Sequence, residues 1–179
     1  MNKILVVVDM QNDFIDGSLG TKEARAIVPN VKKKIEEFNA CGDEIIFTRD
    51  THFENYMETA EGAKLPVPHC IKGTEGWELN ADIADALADK KYTAVEKITF
   101  GSTELPELVK KAVGDEDFDV TLIGLCTDIC VVSNALILKA NFPEKEVYVD
   151  AACCAGVTVD THNAALTTMK MCQINVIGE

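Results

Sequence analysis

The sequence contains no apolar run long enough to cross a bilayer; the run nearest its start, Ile4 to Val8, stops at Asp9. A spanning helix needs about 20 apolar residues, so none is expected here. A run this short, with no cleavage site behind it, also argues against an export signal. Basic residues are scarce, with Lys+Arg 17 against Asp+Glu 30 and a net charge of −13. That balance argues against nucleic acid or an anionic membrane as a partner. No CxxC pair occurs, so a zinc ribbon or a thioredoxin-type site has no support. The seven cysteines (41, 70, 126, 130, 153, 154 and 172) are odd in number, and Cys153 and Cys154 are adjacent and awkward to bridge. Without an export signal they read as reduced thiols, which predicts a cytoplasmic protein. Repeats, linkers and low-complexity tracts are also missing, so residues 1–179 are expected to form one domain with a sizeable core.

What is present is an alternation of strand and helix. Ile4 to Val8 and Glu44 to Thr48 read as buried strands, and Pro29 to Cys41 as a helix with proline in its first turn and Gly42 as its stop. Asn80 to Ala88 and Leu105 to Val113 read as helices around a brief strand, Tyr92 to Val95. Val120 to Ile123 then predicts a buried strand, and Ile129 to Ala140, free of Gly and Pro, a helix buried on most sides. Glu146 to Val149, Asp160 to Met171 and Ile174 to Ile177 complete a strand, helix, strand series. The expectation is an α/β fold: a Rossmann-like parallel sheet with helices on both faces. Arg49 to Trp77 has no sustained period, and so long a loop inside a compact domain is usually functional.

In such sheets ligands sit at the carboxyl ends of the strands. Asp9, Asp50, Lys97 and Cys130 all fall at or just after predicted strand ends, which gathers them on one edge. Each has a plainer reading: a loop acid for Asp9, a solvated lysine for Lys97, a core thiol for Cys130. Together they make a nucleophile, a base and a positive neighbour. Cys130 in the first turn of its helix would have its pKa lowered by the helix dipole and by Lys97. Asp9 would take its proton, and the N–H groups of Cys126 and Cys130 would face an oxyanion. No Cys–His pairing can be assembled from the three histidines. His52 and His69 share the long loop with Asp50, and Asp50-Thr51-His52 offers the N/O donors that hold Zn²⁺, Fe²⁺ or Mn²⁺. Two surface histidines are the alternative. His162, in the last helix, is expected to make a structural hydrogen bond.

Five segments taken together carry a family resemblance: Val8 to Phe14, Thr48 to His52, Pro68 to Gly76, Glu96-Lys97, and Gly124 to Val131. In this order they resemble the isochorismatase-like cysteine hydrolases, and within them the nicotinamidases. The resemblance runs from residue 4 to the C-terminus. It implies a six-stranded parallel sheet in a three-layer fold and a catalytic triad of Asp9, Lys97 and Cys130. It also implies a non-proline cis peptide at Leu125–Cys126 that turns the Cys126 N–H toward the oxyanion. Phe14 would line the substrate pocket. One divalent metal ion (Zn, Mn or Fe) would be held by Asp50, His52 and His69. The second histidine many nicotinamidases carry is missing from Phe53 to Glu58, and Glu61 could serve instead. Leu65-Pro66-Val67 stands where an aromatic usually helps to sandwich a pyridine ring. Members acting on isochorismate lack the nucleophilic cysteine or the metal set, so both features favour amide hydrolysis. The expected activity is hydrolysis of a small amide, nicotinamide foremost, with other small amides or N-carbamoyl compounds as alternatives. The expected assembly is a homo-oligomer, a dimer or tetramer. A non-catalytic thiol redox or binding protein on the same fold is the contrasting reading.

Overall fold

The computed structural model describes residues 2–88, 90–114 and 116–179; Met1, Asp89 and Asp115 lie outside that description. In chain order the elements are β1 (Asn2–Val8), α1 (Asn12–Ile15), α2 (Lys22–Cys41), β2 (Glu44–Asp50), α3 (Ala60–Lys64), α4 (Ala81–Leu87) and β3 (Thr93–Lys97). They continue with α5 (Leu105–Val113), β4 (Phe118–Leu125), α6 (Val132–Asn141), β5 (Glu146–Ala155), α7 (Val159–Met171) and β6 (Asn175–Ile177). The six strands form one parallel sheet in the order β3-β2-β1-β4-β5-β6. No helix among the described residues is long and apolar enough to cross a membrane.

Side chains of a strand alternate between faces, and β1 shows why the sheet needs cover on both. Ile4, Val6 and Val8 pack with Leu105 and Val109 of α5, Ala135 and Leu138 of α6, and Leu166 and Met169 of α7. Leu5 and Val7 pack on the other side with Ile27, Val31 and Ile35 of α2 and Ile83 of α4. β1 is central; the chain runs from it through β2 to β3 on one side and then crosses back to β4 on the other. The crevice where ligands bind in open parallel sheets therefore opens beyond the ends of β1 and β4.

Three boundaries differ from the sequence expectation by three residues or more, each for a physical reason. α2 begins at Lys22, so Pro29 lies inside the helix rather than in its first turn. Thr21 caps it by accepting from the Ala24 N–H, and the buried stripe of Ala24, Ile27, Val28, Val31 and Ile35 outweighs the hydrogen bond that proline cannot donate. β5 runs on to Ala155 because Asp150, which reads as a strand end, is buried and paired with Lys34 at 2.9 Å. The helix expected from Ile129 is split: Thr127 to Val131 form a wide π-type turn before α6 starts at Val132. Cys130 sits in that turn.

Candidate active site

Asp9, one residue past β1, adopts a left-handed backbone (φ 48°) that turns the chain sharply off the sheet. Its Oδ1 accepts a 2.6 Å hydrogen bond from the Thr48 hydroxyl, and that same hydroxyl accepts the Asp9 N–H at 3.2 Å. Thr48 is buried near the end of the neighbouring strand, β2, and locks the carboxylate from two sides. Lys97 closes β3, next to Asp50 at the end of β2. Its Nζ lies 2.7 Å from Asp9 Oδ2, 3.2 Å from Asp50 Oδ1 and 3.5 Å from Cys130 Sγ. An ammonium so buried survives only among anionic partners. Burial works to lower the Lys97 pKa, but Asp9, Cys130 and Asp50 outweigh it and hold the group well above its ordinary value. Lys97 is therefore a buried cation and not a solvated surface lysine.

Cys130 is 5% exposed and faces Lys97. Its thiol corrects one expectation, that the helix start would hold its pKa low. Burial pushes the thiol well above its ordinary value; Lys97 pulls it down, and the Asp9 carboxylate pushes it up again. The sulfur, the Asp9 carboxyl and the Lys97 ammonium thus meet in one buried cluster, with Lys97 in contact with both of the others. The peptide Leu125–Cys126 is cis. In the turn that follows, Ile129 and Val131 both donate to the Cys126 carbonyl, at 3.1 and 3.0 Å. Directly before the cis peptide, Gly124 has φ 115°, and a Cβ there would lie 2.1 Å from the Val8 carbonyl oxygen. Only glycine lets β4 end this close to β1.

The second cluster stands beside the first and shares Asp50. Asp50 Oδ2 lies 3.0 Å from His52 Nε2 and 3.5 Å from His69 Nε2. Glu61 Oε1 is 3.7 Å from both imidazole nitrogens. The Asp50, His52 and His69 donor atoms all lie within 4.8 Å of one another, and all three residues are buried. His69 Nδ1 meets the Val67 carbonyl at 2.8 Å; a carbonyl only accepts, so Nδ1 carries a proton and Nε2 is the ring nitrogen left to serve the cluster. His52 Nε2 is buried with no hydrogen-bond partner among the described residues. An orphaned buried nitrogen aimed at a second imidazole and two carboxylates fits a divalent cation. His52 and His69 are thus not the surface loop residues of the alternative reading. Tyr56 packs edge-on against both rings, with centroids 4.8 and 5.1 Å away, and fixes their planes.

Both clusters open into a cavity of about 210 Å³. Cys130, Cys126, Asp50 and His69 lie in its lining with Phe14, Phe100, Leu65 and Ile129. Phe14 is there as expected, and its ring meets His69 edge-on at 5.6 Å. The structure thus brings together Asp9, Lys97, Cys130, Cys126, Asp50, His52, His69, Glu61 and Phe14. His162 stays outside, its Nδ1 2.8 Å from the Thr127 hydroxyl, as a structural residue would.

Two contributors were given no role from the sequence. Gln11 is fully buried; its side-chain amide accepts from the Asp50 N–H at 2.7 Å and donates to the Asp50 and Trp77 carbonyls at 2.8 and 2.9 Å. Asp13 accepts from the Cys70 N–H at 2.8 Å and so anchors the segment carrying His69. Both lie in the Val8 to Phe14 segment that carries the resemblance, which was the one signal available for them.

An isochorismatase domain model matches residues 3–178. The chain belongs to the isochorismatase family. It is 28% identical to the nicotinamidase/pyrazinamidase of Mycobacterium tuberculosis over 98% of each chain. Among solved structures it resembles the pyrazinamidase of Pyrococcus horikoshii in complex with zinc, with a TM-score of 0.82 and 27% identity over the whole of both chains. It also resembles the pyrazinamidase/nicotinamidase of Streptococcus mutans, with a TM-score of 0.85 and 28% identity over 98% of this chain and 100% of that one. The six-stranded sheet and its flanking helices are this family's α/β fold.

Proposed function

We propose that this isochorismatase-family chain hydrolyses a small primary amide, nicotinamide foremost, to the acid and ammonia through a thioester on Cys130. The observation that carries this reading is the buried Asp9–Lys97–Cys130 cluster, with one ammonium 2.7 Å from the carboxylate and 3.5 Å from the sulfur. The names of the similar proteins support the same substrate class.

Asp9 accepts the thiol proton as Cys130 Sγ attacks the amide carbonyl carbon. Lys97 lowers the cost of placing a negative sulfur in a buried site. The N–H groups of Cys126 and Cys130 stabilise the oxyanion of the tetrahedral intermediate. When it collapses, Asp9 returns the proton to the departing nitrogen, ammonia leaves and the acyl group stays on sulfur as a thioester. Water then attacks the acyl carbon while Asp9 takes its proton; the acid departs, and the proton restores the thiol. Asp50, His52 and His69, with Glu61 beside them, would hold a divalent ion (Zn, Mn or Fe), which supplies a Lewis acid that orients and polarises the substrate. Glu61, a harder donor than a third imidazole nitrogen, would tilt the preference toward Mn or Fe.

Leu65, where relatives often have an aromatic, leaves one wall of the cavity aliphatic. This favours keeping other small amides and N-carbamoyl compounds beside nicotinamide. The redox reading is weakened at Cys126, whose thiol burial pushes up to about 12, far from a readily oxidised thiolate. The test is ammonia release over a panel of nicotinamide, pyrazinamide, aliphatic amides and N-carbamoyl amino acids. Turnover confined to the aromatic amides supports the nicotinamide reading; none on any member removes it.

A further inference from the structure

Asn134 lies on α6 one turn beyond Cys130, fully buried, and the catalytic scheme above makes no use of it. Its side-chain amide nevertheless makes three hydrogen bonds. Nδ2 donates to the Cys130 carbonyl at 2.8 Å and to the Phe100 carbonyl at 3.2 Å, and Oδ1 accepts the Ser102 N–H at 2.9 Å. Both donors are spent on carbonyls and the oxygen on an N–H, so the opposite amide orientation would set oxygen against oxygen. One side chain thus clasps the nucleophile's turn to the segment that leaves Lys97 at the end of β3. That segment seats on α6 at Gly101, where a Cβ would come within 2.5 Å of Ile137 Cδ1.

The clasped segment carries Phe100, which among the described residues is the only aromatic lining the chamber besides Phe14 and His69. Phe100 is 44% exposed, so burial alone does not fix it, and its backbone is held from below by Asn134.

We propose that Asn134 is a positioning residue: it fixes the aromatic wall of the chamber, Phe100, relative to the Cys130 thiol and so sets the preference for ring-bearing amides. The substrate class rests on the amide-hydrolase reading above; the geometry does not.

A threonine at 134 separates the two ends of the clasp. In a helix its hydroxyl can still bond the carbonyl four residues back, Cys130, but it is too short to reach Phe100 and Ser102. The experiment alkylates the full-length protein with iodoacetamide and with N-phenyl iodoacetamide, mapping Cys130 by mass spectrometry. The ratio of the two rates reads how well the chamber seats a ring beside the thiol and needs no turnover. Asn134→Thr should lower the preference for the phenyl probe about fivefold, the scale of one lost aromatic contact. Phe100→Ala should do the same, and the double variant should fall no further, because the two act as one unit. A wild-type ratio in Asn134→Thr, or losses that multiply in the double variant, would overturn the assignment. Should Asn134→Thr fail to fold, Gly101→Ala displaces the same segment from the other side and should lower the ratio equally; an unchanged ratio there also overturns it. With amide substrates, KM should rise more than kcat falls in Asn134→Thr. A protein that releases no ammonia from any amide sinks the proposed function, while the probe ratio still decides the role of Asn134.

Discussion

Lys97 Nζ lies 2.7 Å from Asp9 Oδ2, at a point where neither side chain is more than 1% exposed. Desolvating two charges this completely is costly, and folding alone gains little from it. The pair makes sense as a device that holds a proton acceptor and a positive charge beside a sulfur. Removing either partner should therefore affect chemistry in a signed and separable way.

Lys97→Met removes the cation that opposes the burial of a charged Cys130 sulfur. Burial already pushes the thiol up and Lys97 pulls it down, so its loss moves the titration further upward. The rate of Cys130 alkylation at pH 7 should fall, and its rise with pH should shift to higher pH. A profile matching wild type would show that Lys97 exerts no field on the sulfur.

Asp9→Asn works the other way on the same thiol. The Asp9 carboxylate raises the Cys130 pKa, so its neutralisation lets Lys97 draw the titration downward. Alkylation at pH 7 should speed up while amide turnover drops by at least about a hundredfold, the usual worth of a positioned base. Parallel loss of both would place Asp9 in the fold and not in proton transfer.

Thr48→Val tests what aims that base. Valine keeps the shape but strips the 2.6 Å hydrogen bond from a fully buried carboxylate. Leaving a buried acceptor short of a partner costs about 1–3 kcal/mol, which should appear as a lower Tm together with a lower kcat. A variant with wild-type kcat would mean that Lys97 alone orients Asp9.

Elemental analysis of protein purified without chelator should find about one divalent ion per chain, as the donor set requires. Partners one shell out from a metal already change its affinity about 10–100-fold, so His52→Ala or His69→Ala, which remove direct donors, should lose more than that. Cys130 alkylation should change less than KM in His69→Ala, because the thiol meets Lys97 and not the imidazoles. Metal that survives both substitutions would show that the imidazoles face each other for another reason.

Much of this arrangement was legible before the fold was known. Val6, Val7 and Val8 followed directly by Asp9 mark a buried strand that ends at an acid, and Pro106 with the apolar spacing of Leu105, Val109 and Val113 defines α5 to the residue. What could not be read were features that long-range burial decides. Pro29 looks like a helix start, and only the packing of Ile27, Val28 and Val31 against the sheet carries α2 seven residues further back. The Cys130 thiol was placed at a helix start, where the local dipole predicts a lowered pKa; depth in the core reverses the sign, and depth is not a local property. Thr48, Gln11 and Asn134 were given no role because a polar residue has no periodic signature. Each matters only through the partner it meets across the fold.

The most direct measurement is the intact mass of the protein caught during turnover of a slow ring-bearing amide and mapped to peptide. A covalent acyl-enzyme is central to the account. It predicts an increment equal to the acyl group on Cys130, absent from Cys130→Ala, a variant that folds normally and releases no ammonia. Ammonia release by Cys130→Ala within tenfold of wild type, or an acyl group on any other thiol, would contradict it.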